Sequence, residues 1–537
     1  MYKLNILIIF IQLNMKRGNY MSRVAKSAFI LFIASMISKV IGFLRDLTIA
    51  YVYGTGVISD SYLMALNIIT VAFMSLLCVA IQSTYMPIYT DIKSNEGKAK
   101  ALKFTSNIIN IILIISLIII IFGWFFTEPL VKLFAMGFEG ERLQLTMQLT
   151  KIILFSVGLV CVTYVLKAYL EIYDYFLITG LMPLPYNISI IIAVLLSKKF
   201  GVNMLAYGTV IAFFLQMMFL IPFCYKKGFK YKLNINLSDK NLKRMAMAIV
   251  PILIGASANQ INSLVDKNLA STISTGSISS LSYAYKLDIF VIGLFVASIT
   301  SVIYPLFSKL GSDNNLKQLK VTFSKSVNLV ILITMPISVG AFILAEPIIR
   351  ILFERGAFDE NATKITAQVL SLYAVGMVAT GMRDVMVRVF YSLQDTKIPM
   401  KNSILSVIFN VFFSLILIRS MNVSGLSLAS SISAILAVCF LMYSLRKKIG
   451  KFNGKSIILT LFKTLIASAV MASIVLFIFG KISLISEFLA LIVSVAIGII
   501  VYSVTVLILK VDSTDYIINL IKNLIGSFKQ LKKNKKM

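Results

Sequence analysis

Long apolar runs, interrupted by short polar stretches, recur along the whole chain. They fall at about 26–52, 62–92, 104–127, 147–172, 176–197, 203–225 and 245–272, and again at 281–310, 324–346, 365–393, 399–419, 424–445, 457–479 and 484–509. A helix needs roughly 20 apolar residues to cross a bilayer core, and these runs meet or approach that length. The alternating ten-residue strands of a membrane barrel do not occur. The pattern predicts an all-α polytopic membrane protein with about 14 transmembrane helices.

Composition agrees. Of 537 residues, 58% are apolar and 14% charged, against about 45–50% and about 25% in soluble domains. A water-soluble globule is excluded. The chain has no histidine, and its four cysteines (Cys78, Cys161, Cys224, Cys439) are scattered through apolar runs. Zinc, haem and disulfide frameworks are therefore not expected, nor is nucleophilic chemistry with a histidine base.

The net charge of +30 points to nucleic acid only until its distribution is read. Lysines and arginines gather in alternate loops: Lys93, Lys98 and Lys100; Lys226 to Arg244; Lys309, Lys317 and Lys320; Arg446 to Lys455. The intervening loops are sparse or mixed. This alternation is an orientation signal placing both termini in the cytoplasm, and the lysine-rich tail at 510–537 at the inner leaflet. Residues 1–21 read as an extension, either a short signal-like stretch (4–13) or sequence upstream of a start at Met21. No cleavage site follows, which favours Met21.

A repeat is present. Glu128-Pro129-Leu130-Val131-Lys132 recurs as Glu346-Pro347-Ile348-Ile349-Arg350; Asp46, Ala50, Thr55 and Gly56 match Asp266, Ala270, Thr275 and Gly276. The offsets stay near 220 residues. A duplicated six-helix unit follows: an N-lobe at 22–225 and a C-lobe at 245–445, related by a pseudo-two-fold along the membrane normal. Basic loops at 226–244 and 446–456 follow the lobes, and two extra helices occupy 457–509. Transporters built this way place their site between the halves.

Charges inside the spans narrow the function. Lys39, Arg45 and Asp46 lie in the first span and Lys286 in the eighth. Each charge at mid-bilayer costs about 2.5–3.5 kcal/mol on insertion scales, so this helix must face a polar cavity. A structural Arg45–Asp46 ion pair, or snorkelling of Arg45, is the alternative. Asp60 opens the second span, where an N-cap is its ordinary role. Cations from both halves favour an anionic substrate such as a phosphate. A cation-coupled multidrug exporter would instead need acids not neutralised by cations. A prenyl or glycosyl transferase would need an Asp-rich loop, which the chain lacks.

The run Ser38 to Asp46 with Gly54-Thr55-Gly56, Thr275 to Ser279, Leu352 to Phe358 and Phe390 to Pro399 resembles the MurJ/MviN family of the MOP exporter superfamily. The resemblance implies a lipid II flippase of the bacterial plasma membrane, not an enzyme. It would move undecaprenyl-diphosphate-linked peptidoglycan precursor outward by alternating access. A central cationic cavity would bind the head group, and spans thirteen and fourteen would form a lipid groove. On the matching positions, Arg45 corresponds to the family's essential cavity arginine and Asp60 to its functional acid. Lys39 and Lys286 stand where better-studied members carry arginine, and Ala72-Phe73 where another arginine is expected. Some members bind Na+ through residues to which Asp266 and Asn410 correspond; Ser414 replaces the second acid. Implied partners are the lipid-linked substrate, membrane lipids and other cell-wall synthesis proteins. A flippase for another polyprenyl-linked glycan is the alternative.

Overall fold

Eighteen helices and no strand make up residues 19–71 and 76–511, which the computed structural model describes. The first lobe contains α1 (Asn19–Tyr53), α2 (Val57–Ile69), α3 (Leu76–Asn95), α4 (Lys98–Phe125), α5 (Thr127–Phe134), α6 (Gly140–Ile153), α7 (Ser156–Ile172), α8 (Phe176–Leu181), α9 (Pro183–Phe200) and α10 (Asn203–Lys226). The second contains α11 (Lys240–Ser271), α12 (Ser277–Ser312), α13 (Leu316–Ile343), α14 (Ala345–Phe353), α15 (Glu360–Ser392) and α16 (Lys397–Ile449). Two further helices, α17 (Gly454–Ile482) and α18 (Glu487–Ile508), are appended.

Among the described residues, the fourteen predicted segments fall on these helices and the short breaks between them. Among the described residues, nine helices are long and apolar enough to cross a membrane alone, or ten if α6 and α7, bent by 45°, form one span. The eleventh and twelfth predicted segments share α16, which folds back at Asn422 (φ 50°, ψ −136°). The N-terminal stretch 4–13, the pair Ala72-Phe73 and the lysine tail from 529 lie outside the described residues. Cys78 and Cys161, far apart in sequence, have sulfurs 3.9 Å apart, with Cys78 donating to Cys161 and no disulfide between them.

Two short helices were not expected, α5 and α14, and both carry the repeat motif. In each, an acid reaches the base four residues on: Glu128–Lys132 at 2.6 Å and Glu346–Arg350 at 2.6 Å. The repeat extends to turns, since Asp174 (φ 61°) and Gln394 (φ 57°) take positive φ at corresponding places. Beside the second turn, Asp395 receives the backbone N–H groups of Lys397 and Ile398 (3.1 Å each) and pairs with Lys448. Burial pushes its carboxyl pKa up, but Lys448 and these N–H groups outweigh burial and hold it below the ordinary value. A depressed folded-state pKa stabilises above the unfolded value of about 3.9 and is lost as pH falls through the folded one. The stability gap between the wild type and Asp395→Asn, read by thermal unfolding, is therefore constant from about pH 8 to 5 and shrinks below about pH 4.

The lobes are knit together at one end. The 355–358 turn of the C-lobe sits on the α1 terminus, where Ala357 N–H donates to Tyr51 O (3.0 Å). The contact is backbone on backbone: a Cβ at Gly54 would lie 2.1 Å from Ala357 O, and one at Gly356 2.3 Å from Tyr51 O. Both glycines also hold positive φ, so these positions admit no side chain. Nearby, Asn268 of α11 donates to Leu133 O (2.6 Å), and Gly137 N–H donates to Ser271 Oγ (3.0 Å). At the opposite, lysine-rich end, Arg244 of α11 pairs with Asp91 of α3 at 2.5 Å.

Candidate functional site: a cationic seam between the lobes

α1 and α12 run antiparallel along the seam, which brings the predicted charges into register. Arg45 donates from Nη2 (2.8 Å) and Nε (3.1 Å) to Asp46 Oδ1, and Lys286 Nζ lies 2.5 Å from the same oxygen. Seven residues further along α12, Gly293 leaves room for Lys39: a Cβ there would be 2.8 Å from Lys39 Nζ. Lys39 and Asp46 are seven apart on α1, as are Lys286 and Gly293 on α12, and residues so spaced share a helix face, which sets Lys39 along the same seam as Arg45, Asp46 and Lys286. Asp46 is nearly sealed, with 6% side-chain exposure, while Arg45 keeps 19% and Lys286 29%. The buried acid therefore orients Arg45 and Lys286, and with Lys39 further along α1 three cations stand against one carboxylate, net positive by two. The Arg45–Asp46 ion pair set out above as the alternative reading exists, and Lys286 extends it across to the other lobe.

Two residues of this site were not foreseen. Asn187 of α9 accepts from Arg45 Nη1 (3.1 Å) and donates to Ser38 O (3.4 Å); Tyr186 presents its ring 5.7 Å from the Arg45 guanidinium. The available signal was a polar Tyr-Asn pair directly after Pro183 and Pro185, which open α9.

Asp60 stands apart from the cations and is fully buried. Its Oδ2 accepts the Gly276 N–H (2.7 Å), and its Oδ1 accepts the Ser279 N–H (2.8 Å) and hydroxyl (2.7 Å). It does cap a helix, but the helix is α12 of the other lobe. A carboxylate at a helix N-terminus suits the exposed N–H groups and the dipole. Asp60 thus belongs to the inter-lobe closure.

A cavity of about 480 Å³ lies inside the C-lobe, lined among others by Asp266, Asp288, Arg383, Asp384, Asn410 and Ser430. Asp266 and Asn410 are brought together through Ser430, which accepts from Asn410 Nδ2 (2.9 Å) and donates to Asp266 Oδ2 (3.0 Å). Lys267, the basic residue next to Asp266 in the chain, donates across the seam to Asn67 Oδ1 (2.8 Å). Asp266 Oδ1, Asn410 Oδ1 and Ser414 Oγ are buried without a hydrogen-bond partner. Orphaned buried oxygens are rare. Among the described residues, no cluster of three or more His, Cys, Asp or Glu side chains could hold a metal ion.

An apolar groove of about 830 Å³ lies between α13, α15, α16 and α17, with Phe342, Met382, Leu461 and Leu465 on its walls and Arg446 at one end. Only one appended helix borders it. α18 packs behind α17, held by Glu487–Arg350 (2.8 Å) and by Tyr502 donating to Leu332 O (2.8 Å). The groove's lining comes from span thirteen and the C-lobe.

Two helical lobes closed at one end around a charged seam define a multi-pass membrane transporter. The family model described as lipid II flippase MurJ matches residues 49–499, and the chain belongs to that family. A probable lipid II flippase MurJ of Buchnera aphidicola subsp. Schizaphis graminum is 28% identical over 460 residues, 84% of this chain and 89% of the relative. That of Thermotoga maritima is 27% identical over 490 residues, 90% and 97% respectively. A solved structure of lipid II flippase MurJ in an inward closed conformation aligns with TM-score 0.78 at 26% identity, over 92% of this chain and all of the other. An inward-facing MATE multidrug transporter of the MOP superfamily shares the fold, with TM-score 0.65 at 15% identity, over 78% and 98%.

Proposed function

We propose that the protein flips lipid II, the undecaprenyl-diphosphate-linked peptidoglycan precursor, from the inner to the outer leaflet by alternating access and without covalent chemistry. Beyond family membership, the observation that carries this reading is the seam where Arg45 and Lys286 share one buried acid and Lys39 lies further along the same face. A diphosphate is the chemistry such a site favours. The lysine-rich end is cytoplasmic, with both termini, so the knit end faces outward and the seam loads from inside. The head group would sit against Lys39, Arg45 and Lys286 while the prenyl chain lies in the apolar groove beside α17. Rocking of the lobes would then break the outer contacts and expose the site.

Two lysines grip a diphosphate less rigidly than arginines do. Arg45, already fixed by Asp46 and Asn187, is left as the fork-shaped donor. The protein in nanodiscs should be stabilised against heat by undecaprenyl diphosphate and much less by undecaprenyl monophosphate. Stabilisation by organic cations instead would favour a multidrug exporter.

A coupling cation is a second reading, supported by the orphaned oxygens around Asp266. One carboxylate with neutral oxygens from Asn410 and Ser414 fits a hard monovalent ion such as Na+, which takes oxygen ligands. Asp266, Asn410 and Ser414 would hold it. Sodium should raise the unfolding temperature relative to choline at equal ionic strength, and Asp266→Asn should abolish the difference. A wild-type response equal in both salts would refute the site.

A further inference from the structure

The segment joining the lobes carries chemistry that transport leaves unused. After α10 the chain runs extended along the outer side of α4, and side chains of α4 hold its backbone. Asn110 Nδ2 donates to Lys232 O (3.2 Å) and Asn234 O (2.9 Å), and Tyr231 donates its hydroxyl to Asn110 Oδ1 (2.5 Å). Asn107 makes a reciprocal pair with Asn236, donating to its carbonyl (2.9 Å) and accepting from its N–H (2.7 Å). The segment is therefore fixed in place and in register.

The position of this clasp on α4 is informative. Asn107 and Asn110 lie on the same helical stripe as Ile114, Leu117, Ile118, Ile121 and Phe122, which are 42–62% exposed and face lipid. Helix α4 has 28 residues, about 42 Å at 1.5 Å per residue, against a hydrocarbon core of about 30 Å. With its far end at the outer boundary, the surplus of about 12 Å projects at the lysine-rich end. Asn107, about 14 Å from the start of α4, then lies near the inner edge of the hydrocarbon, and Asn110, about 18 Å from that start, about 6 Å inside the edge. Polar groups at that depth need partners, and the clasped backbone supplies them. The segment in turn presents Leu233 (82% exposed), Ile235 (52%) and Leu237 (67%) outward at alternate positions. Residues 226–244 carry seven basic side chains and a single acid, Asp239.

We propose that residues 229–238 are a membrane anchor seated in the inner-leaflet interface, with Leu233, Ile235 and Leu237 in the acyl boundary and the flanking lysines on anionic phospholipid headgroups. Apolar side chains bordered by basic ones at this depth bind anionic bilayers through both burial and charge. The anchor ties the inter-lobe connection to the N-lobe and the leaflet, so that the C-lobe moves against a fixed hinge. It rests on the cytoplasmic placement of the lysine-rich end, and not on the identity of the substrate.

The chain has a single tryptophan, Trp124, which makes a direct test possible. Leu233→Trp in a Trp124→Phe background is placed in nanodiscs of phosphatidylcholine, with or without phosphatidylglycerol. The proposal expects blue-shifted emission, largely lost to lipids spin-labelled near the headgroup and resistant to aqueous iodide, with stronger lipid quenching in the anionic discs. Asn107→Ala/Asn110→Ala should restore iodide access. Red-shifted emission quenched by iodide and untouched by labelled lipid in both discs overturns the anchor. Equal lipid quenching in both discs overturns its recognition of anionic headgroups. Leu237→Trp is a second probe against local disturbance.

Discussion

Replacing Arg45 by glutamate is expected to abolish complementation in cells depleted of the wild-type protein while leaving the amount of protein in the membrane unchanged. The guanidinium is the one cation of the seam held from two sides, by Asp46 and by Asn187. Charge reversal takes the site from net plus two to neutral and puts a second carboxylate beside Asp46. A diphosphate would then meet repulsion where it had a fork. Arg45→Lys keeps the charge but loses paired donation, and a hydrogen bond to a charged group is worth about 1.5–3 kcal/mol. That variant should retain about a tenth to a hundredth of the activity. A fully active Arg45→Glu would remove the seam as the binding site.

The second large effect is expected at Asp60. Its two oxygens take three donors from the first turn of α12, entirely out of water. Asp60→Ala leaves those donors unsatisfied whenever the outer end is closed, so the closed state alone is penalised. Asp60→Asn should be nearly as harmful, because its amide N–H₂ replaces an acceptor that faces a donor. In a cysteine-free background, Ser277→Cys, buried at this closure, reports opening through labelling by an impermeant maleimide added outside. Either Asp60 variant should raise the labelling rate by about tenfold to a hundredfold, one such hydrogen bond being worth about 1.5–3 kcal/mol. An unchanged rate would show that Asp60 does not hold the closure.

Much of this architecture is legible in the sequence because the bilayer leaves few options. Among the described residues the apolar runs become helices, since no other open element satisfies backbone groups in lipid. The charges of the first span had to find polar surroundings, and Lys39, Arg45, Asp46 and Lys286 do so together. The short amphipathic helices α5 and α14 escaped notice because eight or nine residues carry too little periodic signal. Asp60 illustrates a different limit. An acid at the start of a helix reads locally as a cap, and nothing in its surroundings says that the capped helix lies 216 residues away. Lys267 likewise reads as the neighbour of Asp266, yet a helix turns about 100° between adjacent residues and sends it to Asn67 instead.

The central claim is tested most directly by the leaflet distribution of lipid II in the native host after depletion of this protein. Outer-leaflet lipid II would be scored with an impermeant enzyme that degrades it. The account predicts accumulation in the inner leaflet, rescued by the wild type and not by Arg45→Glu. An unchanged distribution after depletion, in cells shown to contain no other lipid II flippase, would contradict it.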